Sequence, residues 1–262
     1  MTDLKAQARK VRETVIELAH ISKGPHVGSA LSCADIVTTL YFDILKVEKP
    51  VNDDRDYFLL SKAHSAMTLY AALFHKGLLD KETLMSYYQN GGVLPAHTDR
   101  TTNDFIEISA GSLGHGLPMG LGMAHSMKLR DEDNKVFVLM GDGEMQEGSV
   151  WEAAMLAPNL NLDNLTVIID HNNLQGYGRA TELVSFEPAD EKWRAFGWDA
   201  SFVDGHDFEE MKKAFSKKSD KPKVIICNTT KGKGVSFMED ELKWHYYLVT
   251  DDIKKEAMEV LV

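Results

Sequence analysis

Basic charge is in short supply: 29 lysines and arginines face 40 aspartates and glutamates, leaving a formal charge of −11. A nucleic-acid surface selects for basic patches that neutralise phosphates, so this balance argues against that partner. The densest cationic stretch, Lys212, Lys213, Lys217, Lys218 and Lys221, lies among acids and reads as a solvated helix face. Cysteine is scarcer still, with only Cys33 and Cys227, far apart and each in an apolar setting. That excludes a disulfide framework and a cysteine-paired zinc site, and it suits a reducing compartment. No apolar run approaches the roughly 20 residues of a membrane helix, and Met1 to Arg12 lacks the hydrophobic stretch of a signal peptide. A cytoplasmic protein with no membrane partner is expected. Two phosphate-binding signatures are also missing. There is no G-x-x-x-x-G-K-[ST] loop, and the glycine turn after Met140 has Gln146 where a dinucleotide fingerprint needs its third glycine. Gly114-His-Gly116-Leu-Pro-Met119 misses as well, so ATP and nicotinamide sites are disfavoured.

What is present fits one large α/β domain spanning 1–262, since 262 residues are too few for two full-sized ones and a 44% apolar fraction can fill a sizeable core. Leu4, Val11, Val15 and Leu18 recur at helical spacing and predict an amphipathic helix over 4–20. A second helix is expected over roughly 32–44, and others over 148–157 and 207–216. Tyr57–Leu60, Val136–Met140, Leu165–Ile169 and Val224–Cys227 are continuous apolar runs, the pattern of strands buried on both faces. Strands alternating with helices imply crossovers, hence an open, doubly wound, mostly parallel sheet with helices on both faces. After about Val235 the sheet pattern ends, and 235–262 reads as a mobile loop followed by a finishing helix.

Ligands of such sheets collect beyond the carboxyl ends of the strands. Each predicted strand here ends in a polar or glycine-rich stretch: Ser61 to His64, Gly141 to Gly143, Asp170 to Asn173 and Asn228 to Gly234. The sharpest signal is Gly141-Asp142-Gly143 with Asn172-Asn173 one crossover later. A lone Gly-Asp-Gly is usually only a turn. Two neighbouring parallel strands, however, would bring Asp142 and Asn172 side by side. One carboxylate and one amide oxygen are hard ligands too few to cage an ion, which is how magnesium is held when phosphate oxygens and water complete its shell. The glycines let backbone N–H groups approach those phosphates, and a helix starting near Gly148 adds its positive end. The residues thus describe a Mg²⁺–diphosphate site.

Gly-Asp-Gly followed by Asn after just under thirty residues resembles the signature of thiamine diphosphate enzymes. Its surroundings, Gly141-Asp-Gly-Glu-Met-Gln-Glu-Gly148 and Trp151-Glu-Ala-Ala154, are similar to transketolases in particular. So are Gly24-Pro-His-Val-Gly28, Leu60-Ser-Lys-Ala-His64, Pro95-Ala-His97, Gly111-Ser-Leu-Gly114, Lys231-Gly-Lys-Gly-Val-Ser-Phe237 and Trp244-His245. They run in family order over nearly the whole chain. The resemblance implies thiamine diphosphate and Mg²⁺ as cofactors, with Asp142 and Asn172 binding the ion by side chain and Leu174 by its carbonyl. It implies cofactor contacts from His64, Gly111, Leu113, Gly143 and Asn172, and a place for Glu147 in a buried carboxylate network at a subunit interface. His26, His64, His97 and His245 would surround the reactive carbon and the donor's first hydroxyls. Imidazole suits that task because it exchanges protons near neutral pH. His20, His75, His125 and His206 lack such context and read as structural, and His115 is given no role. Two departures from the family pattern stand out. Pro25-His26 reverses the usual order around the histidine, and Tyr246-Tyr247 follow His245 where the family has Gly.

The implied reaction moves a two-carbon unit from a ketose phosphate to an aldose phosphate. The family's second domain supplies the activating glutamate, and nothing beyond Gly234 encodes one. An α2β2 heterotetramer with a separate C-terminal subunit is therefore expected. The small-residue stretch Leu113 to Ala124 would supply close helix packing, either with that partner or within its own chain. Three alternatives share parts of the signature: a 2-oxo acid dehydrogenase E1 α-subunit, which has no need of four sugar-facing histidines, a 1-deoxyxylulose-5-phosphate synthase, normally a longer chain, and a non-catalytic subunit retaining the fold.

Overall fold

A computed structural model describes residues 2–48 and 55–262. Its centre is a five-stranded, wholly parallel sheet in the order β1-β2-β3-β5-β4. The strands are β1 (Tyr57–Leu60), β2 (Val136–Gly141), β3 (Leu165–His171), β4 (Asp199–Asp204) and β5 (Lys223–Asn228). Four match the apolar runs. β4 carries no such run because, unlike β1 at the other edge, it is only partly covered: burial is interrupted along Asp-Ala-Ser-Phe-Val-Asp, and Phe202 is exposed.

The strand side chains divide strictly between two cores, as a period of two demands. Phe58, Leu60, Phe137, Leu139, Ile168 and Ile225 face one, with α1 (Leu4–Ser22), α2 (Val27–Ser32), α3 (Ala34–Thr39) and α4 (Ala66–Lys76) packed over them. Leu59, Val136, Val138, Met140, Val167, Ile169 and Ile226 face the other. Short helices α5 (Lys81–Met85) and α8 (Ala180–Leu183) add to the two layers. The second face is covered mainly by α6 (Gly116–Leu129), α7 (Gly148–Asn159) and α9 (Ala189–Ala195), while α10 (Phe208–Ser216) and α11 (Asp251–Val260) return to the first. The sheet is therefore doubly wound.

Two expectations need correction, and one helix went unread. The helix read over 32–44 is broken at Cys33 into α2 and α3 and ends in a π-helical turn, Leu40–Ile44. α4 escaped periodicity because it is apolar nearly all round, with residues 66–73 all buried. The stretch after Val235 is not a mobile tail: Val235, Met238, Trp244, Val249, Ala257 and Leu261 are all buried in the first core. As for the small-residue stretch, Gly120 sits so close to the sheet that a Cβ there would lie 2.6 Å from Val138 Cγ2. That side of α6 packs within its own chain.

Candidate active site

The carboxyl ends of β1, β2 and β3 open into one cavity of about 330 Å³. In-register pairing of β2 with β3 sets Gly141 beside Asp170, so the turns that follow start level with one another. All the predicted site residues line this cavity: His26, His64, His97, Gly111, Leu113, Asp142, Gly143, Glu147, Asn172, Leu174 and His245. Among the described residues, none of His20, His75, His115, His125 or His206 lines it.

The Asp142 carboxylate is buried and accepts hydrogen bonds from the Gly143 N–H at 2.6 Å and from the Asn173 N–H. Burial, then the nearby Asp170 carboxylate, pushes its pKa up. Asn172 is held in place by its own neighbours. Its Oδ1 accepts from the Leu174 N–H at 3.0 Å, and its Nδ2 donates to Asp170 at 3.2 Å. The Leu174 carbonyl accepts from Lys231 Nζ at 3.0 Å. Asp142, Asn172 and Leu174 thus offer one carboxylate, one amide oxygen and one carbonyl, all hard donors. Among the described residues no three His, Cys, Asp or Glu side chains form a metal cluster. Such a set fits a hard cation whose shell is completed by ligand oxygens. Beside it, Gln175 Nε2 is buried with no partner. Its side chain lies so close to Gly143 that a Cβ on that glycine would come within 2.7 Å of Gln175 Cδ. An orphaned donor next to a glycine turn and a buried carboxylate fits an anionic ligand bridged to a cation.

Four imidazoles form the opposite wall. The ring of His26 lies 5.3 Å from His64, 6.1 Å from His97 and 5.0 Å from His245. His26 occupies the left-handed region at φ 75°, and its N–H donates to the His245 carbonyl at 2.9 Å. That backbone bond between α2 and the 242–245 turn is what brings the two rings together, despite the altered Pro25 and Tyr246 beside them. All four imidazoles have depressed pKa values. His26 falls to about 4 through burial, then His97, Lys231 and Lys62. His245 falls to about 3 through burial, then Lys231. His64 is lowered well below the usual range by burial and then Lys62, and His97 is lowered by burial. Near neutral pH they are uncharged, so each ring offers one donor and one acceptor.

Sequence reading missed the charged floor beneath this wall. Lys62 is buried and pairs with the buried Asp170, whose carboxylate also accepts from Ser32 Oγ at 2.5 Å and from Thr229. Burial opposes both charges, but each outweighs it for the other, raising the lysine's pKa and lowering the aspartate's. Lys231, fully buried, donates to the Leu174 carbonyl and lies 2.8 Å from His245 Nδ1, and burial then Lys62 lower its pKa to about 8. Glu144 is the buried carboxylate of the glycine turn. It accepts from Ser61, from the Gly114 N–H at 2.8 Å and from the Gly141 N–H at 3.2 Å, and burial raises its pKa. Glu147 lines the cavity but is exposed, and among the described residues no buried carboxylate network forms around it in this chain.

The fold and cavity define a doubly wound α/β domain with one polar, histidine-lined site at the ends of its parallel strands. A family model described as "Transketolase, thiamine diphosphate binding domain" matches residues 4–259. The chain belongs to the transketolase family, as its thiamine diphosphate-binding domain. It is 41% identical over 260 residues to an apulose-4-phosphate transketolase subunit of Phocaeicola vulgatus, covering 97% of this chain and 92% of that protein. Against the 6-deoxy-6-sulfo-D-fructose transketolase subunit SqwG of a Clostridium species, the identity is 38% over 262 residues, covering 98% and 95%. The crystal structure of transketolase from Campylobacter jejuni superposes with a TM-score of 0.91 at 32% identity, over 99% of this chain and 43% of that one. The chain thus spans nearly all of the subunit relatives but under half of that solved transketolase.

Proposed function

We propose that this chain is the diphosphate-binding subunit of a two-chain transketolase, moving a two-carbon ketol unit from a ketose phosphate to an aldose phosphate. The observation that carries this reading is the meeting, in one cavity, of the Asp142–Asn172 pair and four uncharged imidazoles. Asp142, Asn172 and the Leu174 carbonyl would hold Mg²⁺; Gly143, His64, Gly111 and Leu113 would contact thiamine diphosphate. When bound, that cofactor supplies the electron sink that makes cleavage beside a carbonyl feasible. The protein's share is orientation and proton transfer. Neutral His26, His64 and His97 can each donate to one sugar oxygen while accepting from another, and each can take up a hydroxyl proton without first losing one; His245, whose Nδ1 is held by Lys231, has Nε2 left for a sugar oxygen.

Relatives that are named as transketolase subunits, and that match this chain's length, support a partner in the form of a separate C-terminal subunit. With the activating glutamate expected from that second subunit, the assembly would be an α2β2 heterotetramer. Two buried free thiols suit a cytoplasmic setting.

Calorimetry of thiamine diphosphate binding with Mg²⁺ and with EDTA tests the metal assignment. Binding should need the ion and should vanish in Asp142→Ala, whereas equal affinity in EDTA would sink it. Turnover should appear only when the C-terminal partner joins this chain with cofactor, Mg²⁺, a ketose phosphate and an aldose phosphate. Robust turnover by the lone chain would defeat the two-chain reading.

A further inference from the structure

Resting on that reading, we propose that Tyr246 is a specificity-determining residue: its ring narrows the sugar entrance and selects donors by their bulk beyond the carbons that meet the histidines. Tyr246 lines the cavity, directly after His245. Its ring packs against His245 with centroids 4.5 Å apart and stands 6.0 Å from His26. With 55% of its surface exposed, it lies toward solvent from the imidazoles, where the remote part of a bound sugar must pass.

The ring is fixed from two sides. On its own segment, buried Trp244 packs edge-on to Phe237 with ring centroids 5.7 Å apart, and the His245 carbonyl is tied to the His26 N–H. Across the mouth lies a tight turn after β3, closed by the Leu174–Arg179 bridge and a 2.9 Å bond from the Gln175 N–H to the Gly178 carbonyl. Arg179 forks onto Asp240 at 2.8 and 2.7 Å, clamping that turn to the segment that carries Tyr246. Within the clamp the Tyr246 hydroxyl meets bare backbone, since a Cβ on Gly176 would lie 2.6 Å from it. Gly176 and Tyr246 are therefore complementary: the glycine makes room for the phenol, and the phenol closes the gap. A fixed aromatic wall selects by cross-section, and excess bulk in such a slot costs about tenfold or more in kcat/KM.

The test uses the reconstituted two-chain enzyme with xylulose 5-phosphate, fructose 6-phosphate and sedoheptulose 7-phosphate as donors. Tyr246→Gly should raise kcat/KM for the longest donor relative to the shortest by about tenfold, mainly through KM. Tyr246→Phe should keep the wild-type ratio, because the ring forms the wall. The geometric premise has its own readout in the isolated chain. Gly176→Ala should lower the melting temperature by roughly 2–4 °C in the wild-type background and by much less in Tyr246→Gly. Normal transfer with an unchanged donor ratio in Tyr246→Gly, or equal losses from Gly176→Ala in both backgrounds, overturns this inference alone. Absence of any transfer by the wild-type assembly overturns the functional reading and this inference with it.

Discussion

Beneath the cavity the charged side chains are paired, while around its mouth the polar ones are left with little to bind. Lys62, Asp170, Ser32 and Thr229 satisfy one another in the floor, and Glu144 is held by Ser61 and two backbone N–H groups. Among the described residues only His245 of the four imidazoles hydrogen-bonds through its ring, to Lys231. The floor is a finished structure; the histidine wall is complete only with a ligand. Energy invested in the first keeps the strand ends in register, and the second keeps its lone pairs for chemistry.

The largest effect should come from breaking the floor. Lys62→Met leaves the fully buried Asp170 carboxylate without its cation and should cost about 3–5 kcal/mol of folding stability. His64→Ala, two residues away in the wall, should cost far less. Urea unfolding of the isolated chain compares them. Equal losses would mean that wall and floor are one structural unit and would break the contrast.

A smaller effect on folding, but a large one on turnover, is expected at His97. A proton-handling or hydroxyl-orienting group contributes roughly 100-fold or more to rate, while a partly exposed wall residue contributes about 0.5 kcal/mol or less to stability. His97→Ala should therefore cut transfer by the reconstituted enzyme about 100-fold and leave thiamine diphosphate affinity within about threefold. Cofactor affinity falling as far as turnover would make His97 a cofactor-facing or structural residue instead.

The same contrast explains what could be read in the sequence. Central strands such as Val136–Met140 announce themselves because burial on both faces makes them continuously apolar. Strand β4, Asp-Ala-Ser-Phe-Val-Asp, has neither a continuous apolar run nor a clean alternation and so resembles a loop, and α4 has no polar face to give it a period. At the site, Gly-Asp-Gly, Asn172 and the histidines were legible because the chemistry of a ligand demands particular residue types at strand ends. The floor was not. Lys62 and Asp170 both fall in the polar stretches at the strand ends, but nothing in the sequence pairs them, since a buried ion pair depends on two residues brought together only by folding. One signal was available: Glu144 directly follows the glycine turn, where a carboxylate so near Asp142 needs donors of its own.

The mildest test is the wall's response to acid. Folding depresses the pKa of His26 to about 4 and of His245 to about 3, chiefly through burial, from an ordinary value of 6.5. Native chains keep these rings neutral while unfolded chains protonate them below that value. Between those limits the unfolded state binds more protons, so stability rises with pH. The contribution is whole above about 6.5 and is lost as pH falls toward the native values. The charged groups facing His26 that favour this are Lys231 and Lys62, which repel a further positive charge, joined by His97 once acid protonates it. The urea midpoint of the isolated chain should therefore decline between pH 7 and pH 5, and replacing His26 with Gln should flatten that decline. Proton NMR reads the same effect directly, with the His26 ring remaining neutral at pH 5.5. A His26 ring that titrates near 6.5, with a midpoint flat from pH 7 to pH 5, would show that solvent in the cavity hydrates the wall as well as bulk water does.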